Sequence, residues 1–228
     1  MDVHQAIETR RALRSLAPTE ITDDLVRDLA SHARLAPSCS NNQPWRFVFV
    51  TDPARLEAMK PVFNSGNRWC HAASLMIAVF SRKEDDCVIK ERAYHQFDTG
   101  LAVAFLILRA TELGLVAHPI AGYSPAKTRE VLGIPEDYDV ITVILVGRQA
   151  AEPNPTLSPE KLEAETRRPE RLPLRLARNP APAPPLLRPG GRPRTSTSSP
   201  WISPSRPVPA RSILCWAATR KSARSSTS

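Results

Sequence analysis

Apolar and polar positions alternate along this chain with two distinct periods, and the switches between them mark its elements. Asp2 is placed to cap a first helix running through Arg11, with Val3, Ala6 and Ile7 on one face. Thr22 caps a second from Asp23 to about Ala33. There Leu25, Leu29 and Ala33 recur at helical spacing, Asp23 and Asp24 sit in the first turn, and Pro37 stops the element. Arg46 to Val50 alternates as a strand does, and Asp52-Pro53 opens a short helix through Met59. Ser74 to Ser81 is an apolar run of strand length and predicts a central strand. Tyr94 to Leu113 predicts a long helix, apolar all round between Leu101 and Leu108 and capped by Gly114. Leu115 to Ile120 is extended. Ser124 and Pro125 start a helix that runs to Leu132 before Gly133. Val140 to Val146 is a further strand, and Ser158 to Arg167 a last helix.

Helices and about four strands in mixed order, with uneven gaps, indicate an α+β sheet covered by helices rather than a regular βαβ repeat. A long helix apolar on every side, in a body this small, points to a second subunit covering part of it. After Leu174 the vocabulary changes. Residues 175–228 hold ten Pro, ten Ser, nine Arg, one Lys and no acid, a composition expected to be disordered. The domain expectation is therefore a folded body over 1–174 and a basic tail over 175–228. The tail also reads as a GC-rich frame translated out of register.

Charge changes its meaning once it is divided this way. The formal +8 of the whole chain is a +10 tail on a body of 21 basic and 23 acidic residues. The pI thus describes the tail, and nucleic-acid binding is not expected of the body. The N-terminus has no apolar run typical of a secretory signal, and no stretch is long enough to span a bilayer, so a cytoplasmic protein without membrane contact is the expectation. Cys39, Cys70, Cys87 and Cys215 form no CxxC pair and no zinc spacing, and read as free thiols in a reducing compartment. There is no Walker A loop, GxGxxG, GxSxG or HExxH. His95 and Asp98 fall at i, i+3, a pair that is usually structural. No metal site and no catalytic residue is expected, so a bound cofactor would carry any chemistry.

Three segments remain as candidates. Ala36 to Trp45 (APSCSNNQPW) is a run of small and amide side chains that could match the edge of a heteroaromatic ring, or a plain loop held by Asx turns. Arg10, Arg11 and Arg14 could share an anion such as phosphate, or only offset a helix dipole. Gly122, after Pro119-Ile120-Ala121, allows a close ligand approach or simply a turn.

In order, RRALR, APSCSNNQPWRF, GNRWCHAA, FDTGLAVAFLILRATELGLVAHPIAGY and LGIPEDYDVITVILVG resemble the flavin-dependent nitroreductase family over about residues 1–174. The resemblance implies a mixed, mainly antiparallel sheet flanked by helices, and an intertwined homodimer with two FMN sites at the interface. It places Arg10, Arg11 and Arg14 at the FMN phosphate and pyrimidine edge. Ala12 stands where the family often has Ser. Pro37, Ser38, Cys39 and Asn41 lie along the isoalloxazine from the other subunit, with Gln43 supporting their turn. Asn67 lies near the ribityl chain, and Pro119, Ile120, Ala121 and Gly122 beside flavin N5. Arg171, or else Arg168, supplies a late phosphate contact.

The implied activity is hydride transfer from NADH or NADPH through FMN to a nitroaromatic, quinone or similar electron-poor acceptor. Three other readings stand beside it: the same fold with dehalogenase or azoline-oxidase chemistry, nucleic-acid binding through the tail, and a poorly active frameshifted product.

Overall fold

The computed structural model describes residues 1–173 together with Trp216 and Ala217. Contacts divide the chain into one unit of Met1–Arg168 with Ser212–Ser228, and a second of Pro169–Arg211. The expectations of a disordered and frameshifted tail fall almost wholly outside the described residues.

Local chemistry sets the helices where the sequence predicts them. Helix α1 (Val3–Thr9) opens on a capping box between Asp2 and Gln5. It stops short of Arg11, because Arg10 leaves the helix with φ −51° and ψ 123°. Only Ala6 of its expected apolar face is buried in the single chain, and Val3 and Ile7 are exposed. Helix α2 (Asp23–Ala33) is capped by Thr22. Helix α3 (Pro53–Met59) is capped by Asp52, and α5 (Pro125–Leu132) by Ser124, with Gly133 left-handed at its end. Helix α4 (His95–Glu112) buries one face, including Ala102, Leu106 and Ala110, and leaves Phe97 64% and Phe105 40% exposed. The helix expected to be buried on most sides is therefore one-sided in a single chain. Helix α6 (Pro159–Thr166) follows.

The sheet is built on the long strand β7 (Asp139–Gln149). On one side it pairs with β3 (Leu75–Ser81), which pairs in turn with β2 (Arg46–Val50). On the other side it pairs with β6 (Val116–Ile120) and with the short β1 (Leu16–Ala17). All these pairings are antiparallel. A small hairpin, β4 (Val88–Ile89) with β5 (Arg92–Ala93), lies outside this sheet, and β8 (Trp216–Ala217) adds parallel to β2.

Every residue of β3 is buried, as its apolar run predicts. One sheet face, with Phe47, Phe49, Ile77, Val79, Ile144 and Val146, packs under α2 and α4. The opposite face packs Val50, Met76, Val143 and Leu145 against Met59, Val62, Trp69 and Leu13. Successive residues of a strand point to opposite faces, so one sheet supplies both cores. Among the described residues, no helix is long and apolar enough to cross a membrane.

Candidate functional site

Two groups of the expected residues form in the chain, both at one end of the sheet. The first gathers around β6. His118 is 6% exposed, and its Nδ1 lies 2.9 Å from Leu13 O, which ties β6 to the segment that follows α1. Burial pushes the imidazole down to about 4, and the Arg14 and Arg10 charges add to that shift. It is neutral near pH 7, with Nδ1 donating to Leu13. Its ring lies 4.8 Å from that of Trp69, and the Arg14 guanidinium sits 5.9 Å from the Trp69 centroid. Trp69 Nε1 donates to Asn67 Oδ1 at 3.1 Å, and Asn67 Nδ2 donates to Gly122 O at 3.0 Å. Asn67 and Gly122, 55 residues apart, are thus in direct contact. A Cβ at Gly122 would lie 2.1 Å from Asn67 Nδ2.

Each Arg of the early cluster has its own surroundings. Arg11 Nη2 donates to the carbonyls of Ala164, Glu165 and Arg167, at the C-terminal end of α6. Those carbonyls have no partner within the helix, so Arg11 acts as its cap. Arg14 and Ser15 donate their backbone N–H groups to the two oxygens of Glu165, at 2.8 and 3.0 Å. The Arg14 guanidinium enters no ion pair among the described residues. Ala12 is exposed. Arg168 donates to Glu8 O, and to Arg10 O at 3.0 Å. Arg171 belongs to the second unit and donates to Pro169 O. Pro119 and Ala121 are exposed, and Ile120 is buried.

The second group is the loop before β2. A 3-10 turn spans Cys39–Asn41, and Ser40, Asn41 and Gln43 all have positive φ. Short polar side chains hold these conformations. Ser38 Oγ accepts from Gln43 N at 2.9 Å, and Gln43 Nε2 reaches Asn41 Oδ1 at 3.3 Å. Cys39 N donates to Asp98 Oδ2 at 2.6 Å, and Asp98 is only 3% exposed. Pro37 is exposed and Trp45 is buried.

The cysteines depart from the expectation of free thiols. Cys39 and Cys87 form a disulfide, while Cys70 is free and buried, its thiol pushed up to about 12 by burial. Cys215 lies outside the described residues. The ladder between β2 and β3 explains the pairing. Arg46 faces Phe80, Cys39 lies seven residues before the first, and Cys87 seven after the second. The register carries the two thiols to one place, which spacing in the sequence does not show.

Sheet register also sets the two groups relative to each other. Arg46 begins β2 opposite Phe80, Phe80 faces Val140, and Ile120 ends β6 opposite Val143. The 36–45 loop and the 119–122 loop therefore leave the same end of the sheet. They are three strands apart, about 14 Å. The residues present fit a phosphorylated, planar group. Arg14 offers a charge engaged with no carboxylate side chain of its own, and the loops offer amides and backbone N–H groups. His118, Trp69, Glu165 and Asp98, which order these parts, are not among the expected site residues. Of these, Asp98 is in the pair taken as structural. Its bond to Cys39 N spans 59 residues and has no local signal.

The profile described as "Nitroreductase family" matches residues 7–68 and 63–148. An Archaeoglobus fulgidus protein, named provisionally as an NADH dehydrogenase/NAD(P)H nitroreductase, is 29% identical over 147 residues, 62% of this chain and 82% of its own. A Thermus thermophilus NADH dehydrogenase is 23% identical over 187 residues, 68% of this chain and 91% of its own. A solved structure described as an oxidoreductase containing FMN superposes with a TM-score of 0.63 at 27% identity, over 72% of this chain and 84% of the other.

Proposed function

We propose that this chain, which belongs to the nitroreductase family, is an FMN-dependent oxidoreductase that takes hydride from NADH or NADPH and passes it to a nitroaromatic, quinone or similarly electron-poor acceptor. Bound FMN would supply the hydride chemistry, which is why no acid–base pair of the protein is needed. One observation carries the reading: Arg14, Asn67 and the Pro119–Gly122 loop, distant in sequence, converge around β6.

In this reading Arg10 and Arg14 bind the phosphate and the pyrimidine edge, while Arg11 holds α6 against them. Arg168 closes the segment behind Arg10. Neutral His118 positions Trp69 and Leu13 and moves no proton. Pro37, Ser38, Cys39, Asn41 and Gln43 would come from the partner subunit of a homodimer. Exposed Val3, Ile7, Phe97 and Phe105 on α1 and α4 support such a partner.

The test is the absorption spectrum of purified full-length protein. Flavin bands that bleach on adding NADH or NADPH, in a dimer, are expected. Colourless protein that takes up no added FMN would overturn the proposal. Turnover with a nitroaromatic, a quinone and a halogenated phenol then separates the acceptor classes.

A further inference from the structure

Beside the disulfide lies a carboxylate that the proposed flavin site does not use. Single ligand atoms of Cys39, Asp86 and Cys87 all fall within 4.8 Å of one another, and all three residues are half-buried. Asp86 Oδ1 is anchored by Cys87 N at 2.8 Å and by Asn42 Nδ2 at 3.3 Å. Its Oδ2 is buried and has no hydrogen-bond partner. A buried carboxylate oxygen with no donor takes a proton, which Asp86 can share with the neighbouring Asp98 carboxyl, or a cation.

We propose that Cys39, Cys87 and Asp86 form a redox-gated site for a thiophilic divalent cation of the Zn2+ class, closed as the disulfide and open as the dithiol. The opening step is thiol–disulfide exchange. A dithiol gives up two electrons and two protons, closes its own S–S bond, and leaves Cys39 and Cys87 as thiols. Zn2+ then displaces both thiol protons to solvent. It takes two thiolates and one Asp86 carboxylate oxygen, with water as the fourth ligand.

Geometry and charge both favour this. Ligands of tetrahedral zinc lie about 3.8 Å apart at Zn–S distances of about 2.3 Å, so the two sulfurs separate from bonding distance on reduction while a carboxylate oxygen already lies within 4.8 Å of both. The Oδ1 anchors fix the carboxylate, as outer-shell partners of metal ligands do. Asp98, which accepts from Cys39 N, holds a second carboxyl beside the site. A divalent cation would offset the negative charge that these groups bring together.

The experiment uses full-length protein carrying Cys215→Ser, with whatever flavin it holds. One sample is left oxidised. The other is reduced with a phosphine and desalted without oxygen, and both are dialysed against Zn2+ alone. Metal content should be one Zn2+ per reduced chain and none per oxidised chain. Asp86→Asn should weaken binding about tenfold or more, and Cys87→Ser should abolish it.

A second readout needs no Cys or Asp substitution at the site. Zn2+ should slow alkylation of Cys39 and Cys87 in the reduced protein, read by peptide mass, and leave Cys70 unchanged. Equal alkylation with and without Zn2+, or equal metal content in the two redox states, would overturn the proposal. Neither readout depends on flavin content or turnover.

Discussion

Asn67 donates its side-chain amide to the backbone oxygen of Gly122 at 3.0 Å, and this bond joins two segments of the candidate flavin site. The glycine is required by contact. A Cβ there would meet Asn67 Nδ2 at 2.1 Å and Cγ at 3.3 Å. Gly122→Ala should therefore displace the amide and cost about 2 kcal/mol. Asn67→Ala removes both clashing atoms. In the double variant Gly122→Ala should cost less than half as much, and denaturant melts of the four proteins measure the coupling. Additive losses would show that the contact is not the cause.

His118 makes stability depend on acid. Its folded-state value of about 4 lies below the 6.5 of the free side chain, so between these the unfolded chain binds the extra proton. Stability from this group is full above pH 6.5 and is lost as pH falls toward 4. The loss should be about 3 kcal/mol. His118→Asn retains a donor toward Leu13 O and removes the titration. Urea melts at pH 7 and pH 4.5 should show a smaller decline for the variant than for the wild type.

Asp85 is buried between two guanidinium groups, with Arg46 at 3.2 Å and Arg82 at 2.7 Å, and accepts from Tyr138 at 3.3 Å. Arg82 also pairs with Asp137 at 2.6 Å, but the Arg46 side chain is only 11% exposed. Asp85→Asn should leave Arg46 buried without its counter-charge and cost about 3 kcal/mol, since breaking a buried pair costs more than the pair contributes. A loss under about 1 kcal/mol would place the pair with solvent-exposed ones.

Glu165 fastens α6 by accepting from the N–H groups of both Arg14 and Ser15. Glu165→Gln retains one acceptor and turns an amide donor toward the other N–H. Hydrogen exchange of the Arg14 and Ser15 amides should quicken about tenfold. If the flavin reading holds, FMN affinity should fall with it, because Glu165 holds the Arg14 backbone.

Much of the architecture was legible in order along the chain. Caps at Asp2, Thr22, Asp52 and Ser124 and stops at Gly114 and Gly133 act within a few residues, so α2, α3 and α5 begin and end where local chemistry places them. Strands β2 and β3 follow from period and apolar length. The two-residue β1 and the β4–β5 hairpin escaped, because two residues carry no period. The Arg cluster, the amide loop and the Pro119–Gly122 turn were also visible, as motifs whose order resembled one family.

What joins those motifs was not visible. Sequence alone determined most of the helices and the longer strands, because propensity, capping and periodicity are local, and a family resemblance in the order of its motifs marked the residues expected to meet a flavin. Tertiary structure alone decided that Asn67 closes on Gly122, that His118 is buried and neutral, and that Arg11 spends its donors on α6. It also decided that Cys39 and Cys87 are bonded. Each of these brings together residues 48 or more positions apart, and for the cysteines it is the β2–β3 register that does so, a property of the assembled sheet rather than of any one segment.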